Sequence, residues 1–293
     1  MDIRQLRYLV SLSRERHFAR AAEACGVAQP TLSAGVRQLE DELGVPVVER
    51  GNRFKGFTPE GERVLAWAQR ILADCEALEQ ELVRSRQSVR GRLVMGVIPT
   101  AMTMVAALTR GLLERQPGIR LKLVARSSVQ IQRELDGFDL HAGVTYLDNE
   151  PLARMRSLPL YLERYVLLAR SGQDLDRRAT IGWAEAAELP LCLMVPEMQH
   201  RRIVDAAFAQ AKSRPAPAVE TDSTAAMVSQ VREGSLHAVV PAHLLDRLGS
   251  DGDLRALPLV EPEITHQVGL VVADREPTPP LVAELWAAAL GAA

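Results

Sequence analysis

Residues 18–43 read FARAAEACGVAQPTLSAGVRQLEDEL and predict two short helices joined by a tight turn. Alanines crowd the first segment, and Gly26 can take the positive φ that ends a helix. Pro30 suits the first turn of a second helix. The apolar residues of that second helix recur at helical spacing: Leu32, Val36, Leu39 and Leu43. Such a pair is a helix-turn-helix, whose second helix has the width of a DNA major groove.

The outer face of the second helix carries polar side chains that can contact phosphates or base edges. These side chains are Gln29, Thr31, Ser33, Arg37 and Gln38. No carboxylate follows until Glu40, which favours DNA as the partner of this face. The alternative is an alanine-rich helical pair that serves packing alone, since helix-turn-helix units are common.

The composition describes a globular protein whose length allows two domains. The chain has 293 residues, of which 47% are hydrophobic and 25% are charged. No apolar run approaches the roughly 20 residues that a membrane span needs. The opening MDIRQLRYLV lacks the order of a signal peptide, so we expect a cytoplasmic protein. Cys25, Cys75 and Cys192 lie far apart, which argues against a disulfide framework or a cysteine-rich zinc site.

Positive charge collects near the predicted helix pair, although the net charge of the chain is −2. Residues 1–58 hold nine Lys and Arg against seven Asp and Glu. Residues 45–61, VPVVERGNRFKGFTPEG, predict a short strand, a turn and a second strand. Arg50, Arg53 and Lys55 would make this hairpin a basic wing that grips phosphates or enters the adjacent minor groove. A solvated hairpin with incidental charge is the alternative.

A long helix is predicted to follow, with Thr58 as its N-cap and Pro59 in its first turn. Its apolar residues recur at intervals of four and three, which is the pattern of a heptad seam. The seam consists of Val64, Ala68, Ile71, Cys75, Leu78 and Leu82. It predicts a homodimer, which would present two recognition helices to two half-sites. Packing of the seam on the protein's own body is the alternative.

The order of three segments in this region resembles a known family. They are DIRQLRYLV from residue 2, HFARAAEACGVAQPTLSAGVRQLEDELGVPVVER from residue 17, and FTPEGERVL from residue 57. Together they look like the N-terminal winged helix-turn-helix and linker helix of LysR-type transcriptional regulators, over about the first 90 residues.

This resemblance implies which residues face double-stranded promoter DNA. They are Gln29, Pro30, Thr31, Ser33 and Arg37 on the helix and Arg50 and Arg53 on the wing. Two positions depart from the family pattern. The usual Ser-Gln-Pro begins here with Ala28, so one hydroxyl contact is absent, and the usual aliphatic-aromatic pair is Val47-Val48, which should affect packing more than chemistry.

Beyond the polar stretch SRQSVRGR at 85–92, which we interpret as a hinge, strand and helix patterns alternate and predict a parallel sheet of βαβ units. The resemblance implies a two-lobed α/β effector domain similar to the periplasmic binding protein fold, with a crossover near Leu160. The fold class is therefore α+β multidomain. We expect a winged helix-turn-helix domain at 1–58, a linker helix and hinge at 59–90, an effector domain at 91–293, lobe I at about 91–160 and 268–293, and lobe II at about 161–267.

A ligand in such a fold lies at the carboxyl ends of the strands, beside helix N-termini. This rule selects the stretches Pro99-Thr100-Ala101, Ser127-Ser128, Met198-Gln199-His200 and Thr221-Asp222-Ser223. The resemblance implies that these loops line the effector cleft, with Thr100, Ser128, His200 and Thr221 as the contacts. Hydroxyls and helix N-termini suit a small anion such as a carboxylate. No metal or cofactor is expected, since the histidines are dispersed and no phosphate loop occurs. The alternative is that these residues serve only as helix caps.

These patterns predict an effector-responsive regulator of transcription rather than an enzyme. No GxSxG elbow occurs, and Cys192 lies inside an apolar run, which is typical of a buried small residue. We expect a homodimer that assembles into a tetramer of two dimers, with RNA polymerase as a further candidate partner. Two alternatives stay open: a DNA-binding regulator whose cleft is vestigial, and a cytoplasmic small-molecule binding protein of the same fold.

Overall fold

The computed structural model of the protein divides the chain into two compact units, residues 1–87 and 88–293. Each unit is described by itself. The described residues are 1–49, 54–84, 89–148, 152–172, 174–244 and 253–291.

The described residues of the first unit form four helices. They are α1 (Ile3–Glu15), α2 (Phe18–Ala24), α3 (Gln29–Leu43) and α4 (Pro59–Arg84). Gly26 has a φ of +67° in the turn between α2 and α3, so the predicted helix-turn-helix is confirmed. Asp2 caps α1, where its side chain accepts from the Arg4 backbone N–H. Leu6 and Leu9 of α1 lie in one buried cluster with Leu39 of α3.

The base of the predicted wing contacts the start of α4. Val48 and Phe57 form one antiparallel bridge, and the Glu49 N–H donates to the Gly56 carbonyl. The predicted pair of short strands is therefore reduced to a single bridge among the described residues. A Cβ added at Gly61 would lie 1.9 Å from the Val47 carbonyl oxygen, so only glycine allows this close approach.

The second unit contains one large mixed sheet with helices on its faces. Its strands are β1 (Gly91–Val97), β2 (Ile119–Ala125), β3 (Ala142–Tyr146), β4 (Met155–Arg170), β5 (Ile181–Gly182), β6 (Leu191–Met194), β7 (Val219–Thr221), β8 (His237–Pro241), β9 (Leu254–Val260) and β10 (Thr265–Ala273). Its helices are α5 (Val105–Arg115), α6 (Ser128–Asp136), α7 (Trp183–Ala186), α8 (Gln199–Gln210), α9 (Thr224–Glu233) and α10 (Pro280–Leu290).

The main strand order is β2-β1-β3-β10-β4-β8-β6-β7. The strands pair in parallel at both ends, as the βαβ pattern predicts. The prediction of a wholly parallel sheet is wrong, because β10 and β4 run antiparallel to their neighbours. The strand β4 pairs with β10 up to Arg164 and with β8 and β9 from Tyr165 or Val166 onward, so a single strand joins the two halves of the unit.

Two buried apolar clusters stabilise the second unit. The larger one includes Leu93 and Met95 of β1, Leu112 of α5 and Leu285 of α10. The smaller one packs α9 on the far half of the sheet and contains Cys192. Among the described residues, no helix combines the length and apolar character that crossing a membrane would require.

Candidate functional site

The outward face of α3 carries mainly polar side chains. Leu32, Val36 and Leu39 are buried on the inner face. The residues predicted to face DNA lie opposite: Gln29, Pro30, Thr31 and Arg37 are exposed, and Ser33 is half-buried. No side chain caps the N-terminus of α3, where Ala28 replaces the family's usual serine. This leaves a positive helix end, which is suited to a phosphate.

Arg37 is held along α3 by its own helix. Its Nε donates to the Ser33 carbonyl at 3.3 Å, and no carboxylate of the described residues forms an ion pair with it. The remaining guanidinium N–H groups can therefore serve a phosphate or a guanine edge. Arg50 and Arg53, the predicted wing contacts, lie outside the described residues.

The predicted seam on α4 divides into two parts. Ala68 is fully buried in the core of the first unit, and Val64 and Ile71 pack partly against the same core. The alternative of packing on the protein's own body therefore applies to this first half. Cys75 is half-buried, whereas Leu78 and Leu82 are each 61% exposed.

Trp67, which the seam pattern omits, is also exposed on α4. It precedes Leu78 by eleven residues, or about three helical turns, so both residues lie on nearly the same face. The exposed apolar surface of α4 thus consists of Trp67, Leu78 and Leu82, and it remains available for a second copy.

A small pocket, whose cavity is about 10 Å³, lies where four chain segments of the second unit meet. Its walls are the turn after β1, the start of α6, the end of β3 and the loop leading into α8. The lining residues are Ile98, Pro99, Thr100, Ser127, Ser128, Tyr146, Met194, Met198, Gln199 and His200. Because parallel strands end at one edge, segments distant in sequence meet here.

Three of the four predicted effector residues line this pocket: Thr100, Ser128 and His200. Thr221 does not line it. Its hydroxyl accepts from the Ser223 backbone N–H at 3.2 Å, and the N-cap of the following helix is Ser223 rather than Thr221. Sequence alone did not single out Gln199 or Tyr146, although each follows the rule that sites form at the carboxyl ends of strands.

The pocket contains buried polar atoms without partners. His200 is 4% exposed and Gln199 is 2% exposed. Both ring nitrogens of His200 and both amide atoms of Gln199 lack a hydrogen-bond partner among the described residues. Burial lowers the pKa of His200 to about 3, so its imidazole is neutral at physiological pH. Because buried polar groups are nearly always paired, these atoms indicate a place for a ligand or water.

Two helix N-termini border the pocket. Ser127 caps α6 through a reciprocal pair of hydrogen bonds with Gln130. The N-cap of α8, Met198, supplies no side-chain hydrogen bond. No charged side chain lines the pocket, but Nη2 of Arg202 lies 3.4 Å from Oγ of Ser128 and places a cation behind that wall. The helix N-termini and Arg202 both favour an anion near this wall.

Behind the pocket lies a buried carboxyl group that sequence analysis did not identify. The Tyr146 hydroxyl donates to Oε1 of Glu163 at 2.5 Å and lies 3.5 Å from Oγ1 of Thr100. Glu163 is 0% exposed on β4. Burial raises the pKa of this carboxyl to about 7, and the hydrogen bond from Tyr146 offsets part of the increase.

Comparison with known families covers nearly the whole chain. The family described as "Bacterial regulatory helix-turn-helix protein, lysR family" matches residues 3–62. The family described as "LysR substrate binding domain" matches residues 86–293. The first match includes the helix-turn-helix, and the second includes the unit that contains the pocket.

Individual relatives also align with this chain over nearly their whole length. The hydrogen peroxide-inducible genes activator of Pectobacterium carotovorum is 29% identical over 279 residues, which cover 94% of this chain and 92% of the relative. The HTH-type transcriptional regulator IlvR of Caulobacter vibrioides is 31% identical over 292 residues, which cover 96% and 95%.

Solved structures agree with this assignment. Full-length OxyR of Pseudomonas aeruginosa, in a form with aspartate in place of a cysteine, superimposes with a TM-score of 0.80 at 27% identity and covers 99% of this chain and 94% of that one. Full-length CbnR in complex with its target DNA shares the fold with a TM-score of 0.67 at 21% identity, with both chains covered fully. The chain therefore belongs to the LysR family of DNA-binding transcriptional regulators with an effector-binding domain.

Proposed function

We propose that this regulator is controlled by a small anion, such as a carboxylate, that binds reversibly in the pocket of the second unit. The observation that carries the proposal is the set of unpartnered polar atoms on Gln199 and His200, beside the uncapped start of α8. Backbone N–H groups there and the hydroxyls of Thr100 and Ser128 can donate to an anion. Thr221 is left outside the proposed site, because it does not line the pocket.

Reversible binding is preferred to thiol oxidation, although some relatives are named for their response to hydrogen peroxide. None of the three cysteines lines the pocket. Cys192 is fully buried in β6, where burial raises the pKa of its thiol and so disfavours the reactive thiolate. Cys25 and Cys75 belong to the first unit. Peroxide chemistry in this pocket would therefore have no cysteine thiol to oxidise.

On the DNA side, the proposed contacts are those of α3 and the wing. They are Gln29, Pro30, Thr31, Ser33, Arg37, Arg50 and Arg53. The exposed polar face of α3 and the absence of a carboxylate paired with Arg37 among the described residues support this surface. The partner is double-stranded promoter DNA, and RNA polymerase is a further candidate partner.

The proposed assembly is a homodimer through α4 that pairs into a tetramer. Exposed Trp67, Leu78 and Leu82 support the dimer, since three large apolar side chains on one helix gain from being covered. Two copies would place two α3 helices on successive half-sites. Ala68 belongs to the core of its own unit and is removed from the predicted contact surface.

We also propose a cytoplasmic regulator without enzymatic activity. A general base works best with a pKa near the operating pH. The pKa of His200 lies far below it, and Glu163, with a pKa of about 7, is fully buried behind Tyr146 and does not line the pocket. The described part of the chain holds no group of three or more side chains suited to a metal ion. Binding without turnover is the role that fits this pocket.

A thermal-shift screen of the full chain tests the effector proposal. Small carboxylates, inorganic anions and neutral amides are added to wild type, to Thr100→Val and to the control Thr103→Val, which changes an exposed residue. A ligand at 100 times its Kd adds about 2.7 kcal/mol, which for units of this size raises the Tm by roughly 5–10 °C. We expect carboxylates to shift wild type and Thr103→Val but not Thr100→Val. A screen without any shift would favour the vestigial cleft.

A further inference from the structure

A chain of hydrogen-bonding groups runs from the pocket wall to the strand that joins the two halves of the second unit. Thr100 lines the pocket, Tyr146 stands behind it, and Glu163 lies on β4. The Thr100 Oγ1 to Tyr146 hydroxyl distance is 3.5 Å, and the Tyr146 hydroxyl to Glu163 Oε1 distance is 2.5 Å. All three side chains are buried.

The direction of this chain depends on the charge of Glu163. An ionised carboxylate can only accept, so Tyr146 must donate its one proton to it. The Tyr146 oxygen then accepts from Thr100. The single hydroxyl proton of Thr100 is thereby used inside the protein, and Thr100 offers only lone pairs to the pocket.

Protonation of Glu163 allows the opposite direction. The carboxylic acid can donate to Tyr146, and Tyr146 can then donate to Oγ1 of Thr100. The Thr100 proton is now free to point into the pocket. In this direction the pocket gains a donor for a ligand that carries only acceptors, such as a carboxylate.

We infer that Glu163 is a positioning residue that sets whether Thr100 donates to or accepts from the effector, and that a carboxylate effector binds with uptake of one proton at Glu163. This inference rests on the proposed function of the pocket. The protonation state of Glu163 then determines which class of ligand binds. Ligands that carry only acceptors select protonated Glu163, and ligands that carry a donor select the ionised form.

The surroundings of Glu163 leave it as the buried acid of this cluster. Tyr161 and Tyr165 flank it on β4, and burial raises the pKa of both phenols, so both stay neutral. His266 of β10 is its partner in the strand register and pairs with Asp148 at 3.1 Å, at a more exposed position.

Two further histidines complete the titratable groups around this cluster. His200 of α8 and His243, which follows β8, pack on Tyr165 and Tyr161 at ring-centroid distances of 5.7 and 5.0 Å. The pKa of His200 is about 3, so this ring remains neutral. Because the pKa of Glu163 is raised to about 7, both directions of the chain are populated near neutral pH.

Calorimetry of the full-length protein with acetate as the probe tests the linkage. Titrations at pH 8 in two buffers of different ionisation enthalpy measure the protons taken up on binding. Wild type should take up nearly one proton per acetate, because Glu163 is about 90% ionised one pH unit above its pKa. Glu163→Gln, whose amide can donate to Tyr146 permanently, should take up none.

The same variant gives a second readout that a structural role would not produce. Glu163→Gln should bind acetate about tenfold more tightly than wild type at pH 8 and equally at pH 6, because it needs no proton. Tyr146→Phe breaks the chain and should abolish the pH dependence. Equal proton uptake in wild type and Glu163→Gln, or weaker binding by Glu163→Gln at pH 8, would overturn the inference.

A ligand-free arm separates failure of the chain from failure of the proposed function. The folded protein holds the Glu163 proton more tightly than the unfolded chain, so thermal stability should fall as pH rises from about 4.5 through about 7 and then level off. Glu163→Gln should remove this fall. Tyr146→Phe should extend it to higher pH, because it removes the donor that favours the carboxylate, and Thr100→Val should act in the same direction.

Absence of acetate binding in wild type and Glu163→Gln alike would reject both the carboxylate effector and its linkage to the proton. An unchanged pH profile in Glu163→Gln would reject the chain itself. A normal ligand-free profile without acetate binding would therefore place the fault in the proposed function, and the reverse pattern would place it in the hydrogen-bond chain.

Discussion

The α3 face and the pocket are built on opposite principles. The α3 face comes from one continuous segment, carries exposed polar groups and an arginine, and is complete within fifteen residues. The pocket is assembled from four separate segments, is lined by neutral side chains and hides its titratable groups. A surface that must meet a charged polymer can be written locally, whereas a site that must enclose a small molecule depends on distant contacts.

The largest loss of operator affinity should come from separating the two copies of the dimer, because the α3 face of each copy then binds without the other. Leu78→Asp combined with Leu82→Asp places charges on the exposed apolar part of α4 and should yield monomers in analytical ultracentrifugation. Operator affinity should then fall by roughly 100-fold or more, because the two recognition helices lose their effective concentration. Glu79→Ala, on the same helix, should remain dimeric and bind normally. A dimeric double variant would place the interface elsewhere.

A smaller loss should follow from changing one side chain on the α3 face. Arg37→Ala should cost about 1–3 kcal/mol of operator binding if the guanidinium reads a base, and should reduce the salt slope by about 1 if it contacts a phosphate. Fluorescence anisotropy at several salt concentrations distinguishes the two. Arg63→Ala removes an exposed arginine already paired with Glu60 and is the matched control. Equal affinities for both variants would contradict the assigned face.

In the pocket, removal of a polar side chain should raise the free energy of unfolding, in contrast to the losses expected on the α3 face. Gln199→Leu eliminates two unpartnered amide atoms and should stabilise the unliganded protein by about 1–2 kcal/mol, since such atoms are costly when buried. The variant should also lose its response to any carboxylate. Chemical denaturation and the thermal-shift assay measure both quantities, with exposed Gln210→Leu as the control. A destabilised Gln199→Leu would show that the amide has partners in the folded state.

The difference between the two regions also explains which features could be predicted from the sequence. Helix signals are local: Thr58 accepts from the Gly61 N–H at 2.9 Å as its N-cap position predicts, and Gly26 has the expected positive φ. Thr100, Ser128 and His200 were located by the rule for strand ends. Gln199 belongs to the stretch 198–200 that the same rule selected, although it was not named as a contact. Tyr146 was not selected, because a single tyrosine beside a strand has no distinctive spacing.

The strand β4 shows what a local pattern cannot contain. The apolar run ERYVLLAR at residues 163–170 predicts a strand of that length, whereas in the structure the strand begins at Met155. The additional half is held by pairing with β10, including an irregularity where Pro159 meets Gly269. A Cβ at Gly269 would lie 2.4 Å from the Leu158 carbonyl oxygen, so this partner must be glycine. Glu163 lies opposite His266 in that pairing, which is a contact that no local pattern contains.

The close contact at Gly61 holds the base of the wing rigidly against the start of α4. The Thr58 hydroxyl also donates to the Pro46 carbonyl at 2.6 Å, which is a second contact between the same two segments. In a dimer joined through α4, the distance between the two wings is then set by how the two long helices cross. The crossing angle of the two α4 helices would therefore set the half-site spacing that the dimer binds. A different crossing angle would select operators with a different spacing.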